Sequence, residues 1–197
     1  MSGRIGLLVC VTVAALATGC TRDPEPASKV SSIDAAATFV GSVACSGCHA
    51  GEAEAWRGSH HDLAIEAAGA GTVLGDFSDE TFEYFGTVTR FLERDGQHIV
   101  QTAGDNGEVA EYPVKYTFGI EPLQQYLVEF PRGRLQALPF AWDTRPEGEG
   151  GNRWFHLYPD EQIAPGDPLF WTGRDQNWNY MCAECHSTQL ELVPSRQ

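Results

Sequence analysis

Two five-residue runs carry the chemistry of this chain: Cys45-Ser46-Gly47-Cys48-His49 and Cys182-Ala183-Glu184-Cys185-His186. In each, two thiols three positions apart share one side of a helical turn, and an imidazole follows at once. That spacing lets both sulfurs reach the two vinyl groups along one porphyrin edge while the histidine stands beneath the iron, the attachment signature of c-type haem. The run occurs twice, so the expectation is two covalent haems c. Cys45, Cys48, Cys182 and Cys185 are the thioether positions, and His49 and His186 the proximal ligands. Other cysteine chemistries explain less. A zinc knuckle pair would span far more than the usual roughly 15–20 residues between its halves. A thioredoxin-like pair lacks an accompanying βαβ pattern, and plain disulfides leave both histidines without a reason.

Each iron then needs a sixth ligand or keeps an open position, which separates an electron wire from a catalyst. Methionine is a poor candidate, because Met1 belongs to the leader and Met181 abuts Cys182. His60 and His61 follow His49 closely enough for a short helix to fold back over the first porphyrin, and either can serve. His156 shares a face with Trp154 and Tyr158 in an alternating stretch. It is read either as a ligand of the second haem or as a buried, hydrogen-bonded core histidine. His98, after the Asp95-Gly96 turn, is expected at the surface.

The elements that position these residues follow from pattern. Residues 50–68 carry an Ala/Trp/Leu/Ile stripe at helical period, interrupted at Gly58. Between the motifs the pattern changes to alternation. Residues 85–94 and 97–102 flank Asp95-Gly96 as a hairpin, 109–118 form a further strand, and 125–130 and 134–140 bracket Pro131-Arg132-Gly133. A glycine-rich loop over 147–152 precedes the strand with His156. The fold class expected is α+β, with haem-bearing helical segments flanking an antiparallel β meander whose aromatic face lies near the porphyrins.

The first nineteen residues read as an export leader: one charge at Arg4, an apolar run over 5–16, then Ala17-Thr18-Gly19-Cys20. The run is too short to span a bilayer core of ~30 Å. Small residues before a cysteine are similar to the lipobox of bacterial lipoproteins, which implies cleavage before Cys20, acylation there, and a membrane anchor. An ordinary secretory peptide is the alternative, and it too exports the chain. Residues 20–38 read as a lipidated flexible tether and 39–197 as the dihaem domain. Thr21 after the cysteine favours the outer membrane, by analogy with lipoprotein sorting, so the expected location is the periplasmic face of a bacterial membrane.

The remaining composition mainly excludes. The 197-residue chain carries 27 acidic against 13 basic residues, a net charge of −14. Such a surface cannot neutralise a run of phosphates, so nucleic acid is not an expected partner. With 42% hydrophobic and 11% aromatic residues it is no acidic disordered tail.

Taken together, Phe39 to Ser42, Trp56 to Ala64, Tyr116 to Tyr126, Leu135 to Arg145, Trp171 to Asn179 and Met181 to Thr188 resemble exported multihaem c-type cytochromes. The group is that of cytochrome c-prime and the hydroxylamine-oxidoreductase-like proteins, often joined to tetratricopeptide repeats. The resemblance implies low-potential haems that exchange electrons with one another and with redox partner proteins. Its Trp…Ser-x-His pattern sets the distal-type histidine on His61 rather than His60. Phe170 stands where relatives carry histidine, and relatives continue past the second motif, so this chain reads as a truncated member. The expected function is an electron relay with both irons six-coordinate. The alternative is part of an enzyme acting on small nitrogen compounds at a five-coordinate haem, with Arg174 steering an anion and Asp175 supplying protons.

Overall fold

The computed structural model describes residues 38–187. The expected leader, the acylation site Cys20 and the tether up to residue 37 lie outside the described residues. Eight strands dominate: β1 (Ile65–Ala67), β2 (Ser78–Tyr84), β3 (Thr87–Arg94), β4 (Gln97–Ala103), β5 (Val109–Phe118), β6 (Leu123–Phe130), β7 (Arg134–Asp143) and β8 (Arg153–His156). The last seven pair antiparallel in chain order, and β1 joins the outer part of β5. The sheet curls until β2 and β8 approach each other, where the Tyr84 hydroxyl donates to the carbonyls of Tyr158 (3.0 Å) and Glu161. The result is a nearly closed, barrel-like sheet.

The α+β expectation, with haem-bearing helical segments flanking the sheet, is therefore corrected. The helices are fragments: α1 (Ser42–Ser46), α2 (Ala50–Trp56), α3 (Trp178–Met181) and α4 (Ala183–His186). The stripe over residues 50–68 does not make one helix, and the reason is local. Gly58 adopts φ +68°, and the Ser59 and Asp62 side chains take backbone N–H groups that a continuing helix would need. Downstream, Ile65–Ala67 are taken up by an open sheet edge instead.

That edge has a cause in the sequence. β4 pairs with β5 as far as Ile99–Pro113, and because it starts at Gln97, straight after the Asp95-Gly96 turn, it has no residue to place beside Tyr116–Phe118. Past a register shift between Val114 and Tyr116, β5 pairs with β6 on one side and receives β1 on the other. The hairpins are built as their turn residues require. Asp95 and Gly96 both hold positive φ, +52° and +75°, which matches a two-residue turn to the strand twist. Phe85 and Gly86 do the same between β2 and β3, so Phe85 is a turn residue rather than part of a strand.

The barrel interior is filled by aromatic rings. Phe91 stacks on Trp154 at 3.6 Å between centroids, and Phe77, Tyr126, Phe140 and Trp142 close around them. Hence the aromatic face of the meander is the barrel's own core. A second, smaller apolar cluster of Leu127, Ala137, Trp178 and Ala183 lies on the other face of β6 and β7. With both faces covered, β7 is buried from Gln136 to Asp143, which is why it reads as a nearly continuous apolar run.

Candidate functional site

The two cysteine runs adopt the same local geometry. In the first, the N–H of Cys48 donates to the Cys45 carbonyl at 3.1 Å and that of His49 to the same oxygen at 3.0 Å. In the second, Cys185 and His186 donate to the Cys182 carbonyl at 3.2 and 3.0 Å. One helical turn thus presents two thiols and one imidazole, twice. All four thiols are free. Among the described residues no group of three or more His, Cys, Asp or Glu side chains forms a metal cage, so the two pairs do not converge as a zinc site.

The surroundings of the runs differ. α1 and α2 bury no residue, and Cys45, Cys48 and His49 are exposed. Glu52 brings a carboxylate oxygen to 4.0 Å from His49 Nδ1, beyond hydrogen-bond distance, and both side chains are exposed. The second run is seated firmly. Gln136, fully buried on β7, donates through Nε2 to the carbonyls of Trp171 (2.8 Å) and Gly173 (2.9 Å) and accepts from Asn177 Nδ2 (2.8 Å). Asn177 caps α3 by accepting from the Tyr180 N–H, and Asn179 Oδ1 accepts from the Leu135 N–H at 2.7 Å. The stretch from Trp171 to Asn179 is therefore a polar clamp that fixes the approach to Cys182. Cys182 packs into the smaller apolar cluster, where burial, with some help from Cys185, pushes its thiol pKa up. The His186 ring meets the edge of Phe118 at 5.0 Å.

Apolar side chains left in water mark both runs. Phe39, Val40, Val43 (88% exposed) and Trp56 flank the first, and Tyr180 (82% exposed) and Met181 lead into the second. Trp178 Nε1, four positions before Cys182, is buried with no hydrogen-bond acceptor among the described residues. A large, mostly apolar group with polar edges, bound through these thiols, fits this donor set and this uncovered rim.

The remaining predicted residues fall into three places. His60 and His61 are exposed at the tip of the turn over residues 59–62, with His60 Nε2 at 3.3 Å from Glu121 Oε2. His156 is 5% exposed inside the barrel, stacked on Tyr84 at 3.6 Å between centroids. Its Nδ1 accepts from the Tyr158 N–H at 3.0 Å, and burial holds its pKa down to about 4. At neutral pH the single ring proton therefore sits on Nε2, and no lone pair is left for iron. Of the two roles open to His156, the structure gives it that of a packed core histidine. His98 is buried against Phe77 rather than exposed, because β4 turns it beneath the segment leading into β2. Arg174 Nε donates to Asp175 Oδ1 at 2.7 Å, and this bond holds the Asp175 carboxyl below its usual range. Asp175 is ionised at neutral pH and has no proton to supply.

Two cavities lie elsewhere. An open groove of about 730 Å³ along β3 to β5 is lined by Asp79, Arg90, Arg94 and Glu111, which form ion pairs with one another. A pocket of about 180 Å³ at one barrel mouth is bounded by Tyr84, Phe140, His156 and Trp171. Sequence reasoning missed Gln136, Glu121 and Phe118 as site residues. A glutamine inside an apolar strand was the one available signal, since a buried amide needs several partners. Comparison with protein-family models, with curated proteins and with solved structures returns no match.

Proposed function

We propose that this chain is an exported dihaem c-type cytochrome, held at a membrane through Cys20, that relays single electrons between redox partner proteins. The observation that supports the reading is the repeated turn. Two Cys-x-x-Cys-His runs share one hydrogen-bond pattern, keep their thiols free, and stand beside apolar side chains that are exposed among the described residues.

The roles of the residues follow. Cys45, Cys48, Cys182 and Cys185 would hold the two haems through thioether bonds, formed by addition of each S–H to a vinyl group with no oxidant needed. His49 and His186 would each offer an imidazole nitrogen to iron. Bound haem supplies a one-electron couple. Covering the exposed apolar rim would contribute about 25 cal/mol for each Å² removed from water. The Gln136–Asn177 clamp keeps the second attachment turn from shifting, and a fixed ligand frame keeps the structural change on electron transfer small.

The test is expression of the full chain in a periplasm that matures c-type haem, followed by a pyridine haemochrome assay and intact mass. Two covalent haems per chain are expected. A chain that carries none under active maturation refutes the reading and returns the cysteines to other chemistry.

A further inference from the structure

His61 follows the first cysteine run by twelve residues, and chain proximity alone would assign it to the first iron. The strand that follows it, however, joins the cluster at the second run. The segment after α2 is pinned at its far end, where the Gly119 N–H donates to the Ala64 carbonyl at 2.8 Å and the Ala68 N–H to the Lys115 carbonyl at 3.0 Å. Between these, Ile65 lies opposite Phe118 in the β1–β5 ladder. Ile65 and Phe118 pack in the same apolar cluster as Cys182, and the Phe118 edge meets the His186 ring. His61 lies three residues before Ala64, at most about 10 Å along an extended chain. At its other end the segment runs into α2, which buries no residue.

The turn itself is rigid. The Gly58 N–H donates to Asp62 Oδ2 at 2.8 Å, the Leu63 N–H to the Ser59 carbonyl at 3.0 Å, and the Asp62 N–H to Ser59 Oγ at 3.3 Å. At its tip, His60 is engaged by Glu121, whereas His61 has no hydrogen-bond or ion-pair partner among the described residues. His156, the other histidine considered for the second iron, has no lone pair to offer.

From this we infer that His61 is the sixth ligand of the iron attached at Cys182 and Cys185, and that the turn over residues 59–62 is the strap that closes the second haem site. The inference rests on the haem reading above. A ligand on a strap already fixed to the sheet loses little freedom on binding iron, so the closed site is preorganised.

The experiment uses the matured full chain in two backgrounds. Cys45→Ser with Cys48→Ser leaves only the second haem, and Cys182→Ser with Cys185→Ser leaves only the first. In the second-haem background the resting iron is expected to be low-spin by absorption and electron paramagnetic resonance. His61→Ala should convert it fully to high-spin, the reduced iron should then bind carbon monoxide, and added imidazole should restore the low-spin spectrum. His60→Ala should leave it low-spin. In the first-haem background His61→Ala should leave the spin state unchanged. Because His61 is exposed, its variant should keep the parent far-ultraviolet circular dichroism, which separates ligand loss from unfolding. The inference is overturned if the second haem stays low-spin without His61, if it is high-spin with His61 present, or if His61→Ala converts the first haem instead. Absence of covalent haem in both backgrounds, read by pyridine haemochrome, removes the haem reading itself and this assignment with it.

Discussion

Inside the barrel, His156 should make the fold lose stability in mild acid, and the size of the loss follows from its surroundings. The ring is sandwiched against Tyr84, meets Phe140 edge-on at 5.3 Å, and has its Nδ1 occupied by the Tyr158 N–H. Burial, the dominant cause, brings its pKa from 6.5 to about 4. Below pH 6.5 the unfolded chain takes up a proton that the folded chain refuses, so unfolding becomes easier as pH falls. The loss accumulates from about pH 6.5 to about pH 4 and then levels off. At about 1.4 kcal/mol per pH unit it amounts to roughly 3 kcal/mol. Asp143, brought to about 2 chiefly by its hydrogen bond from Arg145, and Asp79, Glu111 and Asp175, lowered by their own arginine partners, add acid sensitivity toward the lower end of this range, so the histidine's share is read as the difference between the parent and the His156→Gln variant. Urea unfolding followed by tryptophan fluorescence at several values between about pH 7.5 and about pH 4.3 reads the slope. His156→Gln keeps an acceptor for the Tyr158 N–H but cannot titrate, and it should abolish most of that slope. If parent and variant lose stability in parallel, His156 is not held neutral by burial, and the argument that it has no lone pair for iron fails with it.

The clamp on the second run makes a separate prediction. Gln136→Leu leaves the carbonyls of Trp171 and Gly173 and the Asn177 amide without partners, and should cost about 3 kcal/mol in urea unfolding. In the matured protein the same variant should lose covalent haem at Cys182 and Cys185 while keeping it at Cys45 and Cys48; a cost below about 1 kcal/mol would show that the clamp does not hold this segment. At the β3–β4 turn, Gly96→Val forces a β-branched residue into positive φ and should cost about 1–2 kcal/mol. The melting temperature should fall by roughly 2–8 °C with the haem content unchanged. An unaltered melting temperature would mean that the turn relaxes at no cost.

What the sequence made legible were features set by neighbours in the chain. The turn at Asp95-Gly96, the strand over 109–118 and the break at Pro131-Arg132-Gly133 each follow from side chains within a few residues, and each is present. Both cysteine turns are legible for the same reason. What misled was a local signal overruled by a distant one. The apolar stripe from Ala50 to Ala68 has helical period, yet Gly58, Ser59 and Asp62 give the backbone other partners, and β5 offers Ile65–Ala67 a ladder. His98 was assigned to the surface by its place after a turn, but its burial depends on Phe77, which arrives from another part of the chain. Strand β2, Ser-Asp-Glu-Thr-Phe-Glu-Tyr, was not legible at all, because only Phe82 and Tyr84 bury any apolar area.

One irregularity connects these points. In the register that pairs Ile99 with Pro113, β4 runs out at Gln97, straight after the Asp95-Gly96 turn, so the edge of β5 over Tyr116–Phe118 is left for β1. The β3–β4 turn ends β4 there, the register shift between Val114 and Tyr116 turns the strand, and the free edge takes Ile65–Ala67. Ile65 thereby reaches the cluster that holds Cys182, although 117 positions separate the two in the chain. The first cysteine run, on α1 and α2, buries nothing of its own, so the strap is the segment that joins it to a fixed part of the fold. A substitution that broke the β1–β5 ladder, such as Glu66→Pro, which removes a backbone N–H from the middle of β1, would release that edge. It should therefore loosen the strap without touching either cysteine run, and the proposed ligation at the second iron would weaken while attachment at both runs stayed intact.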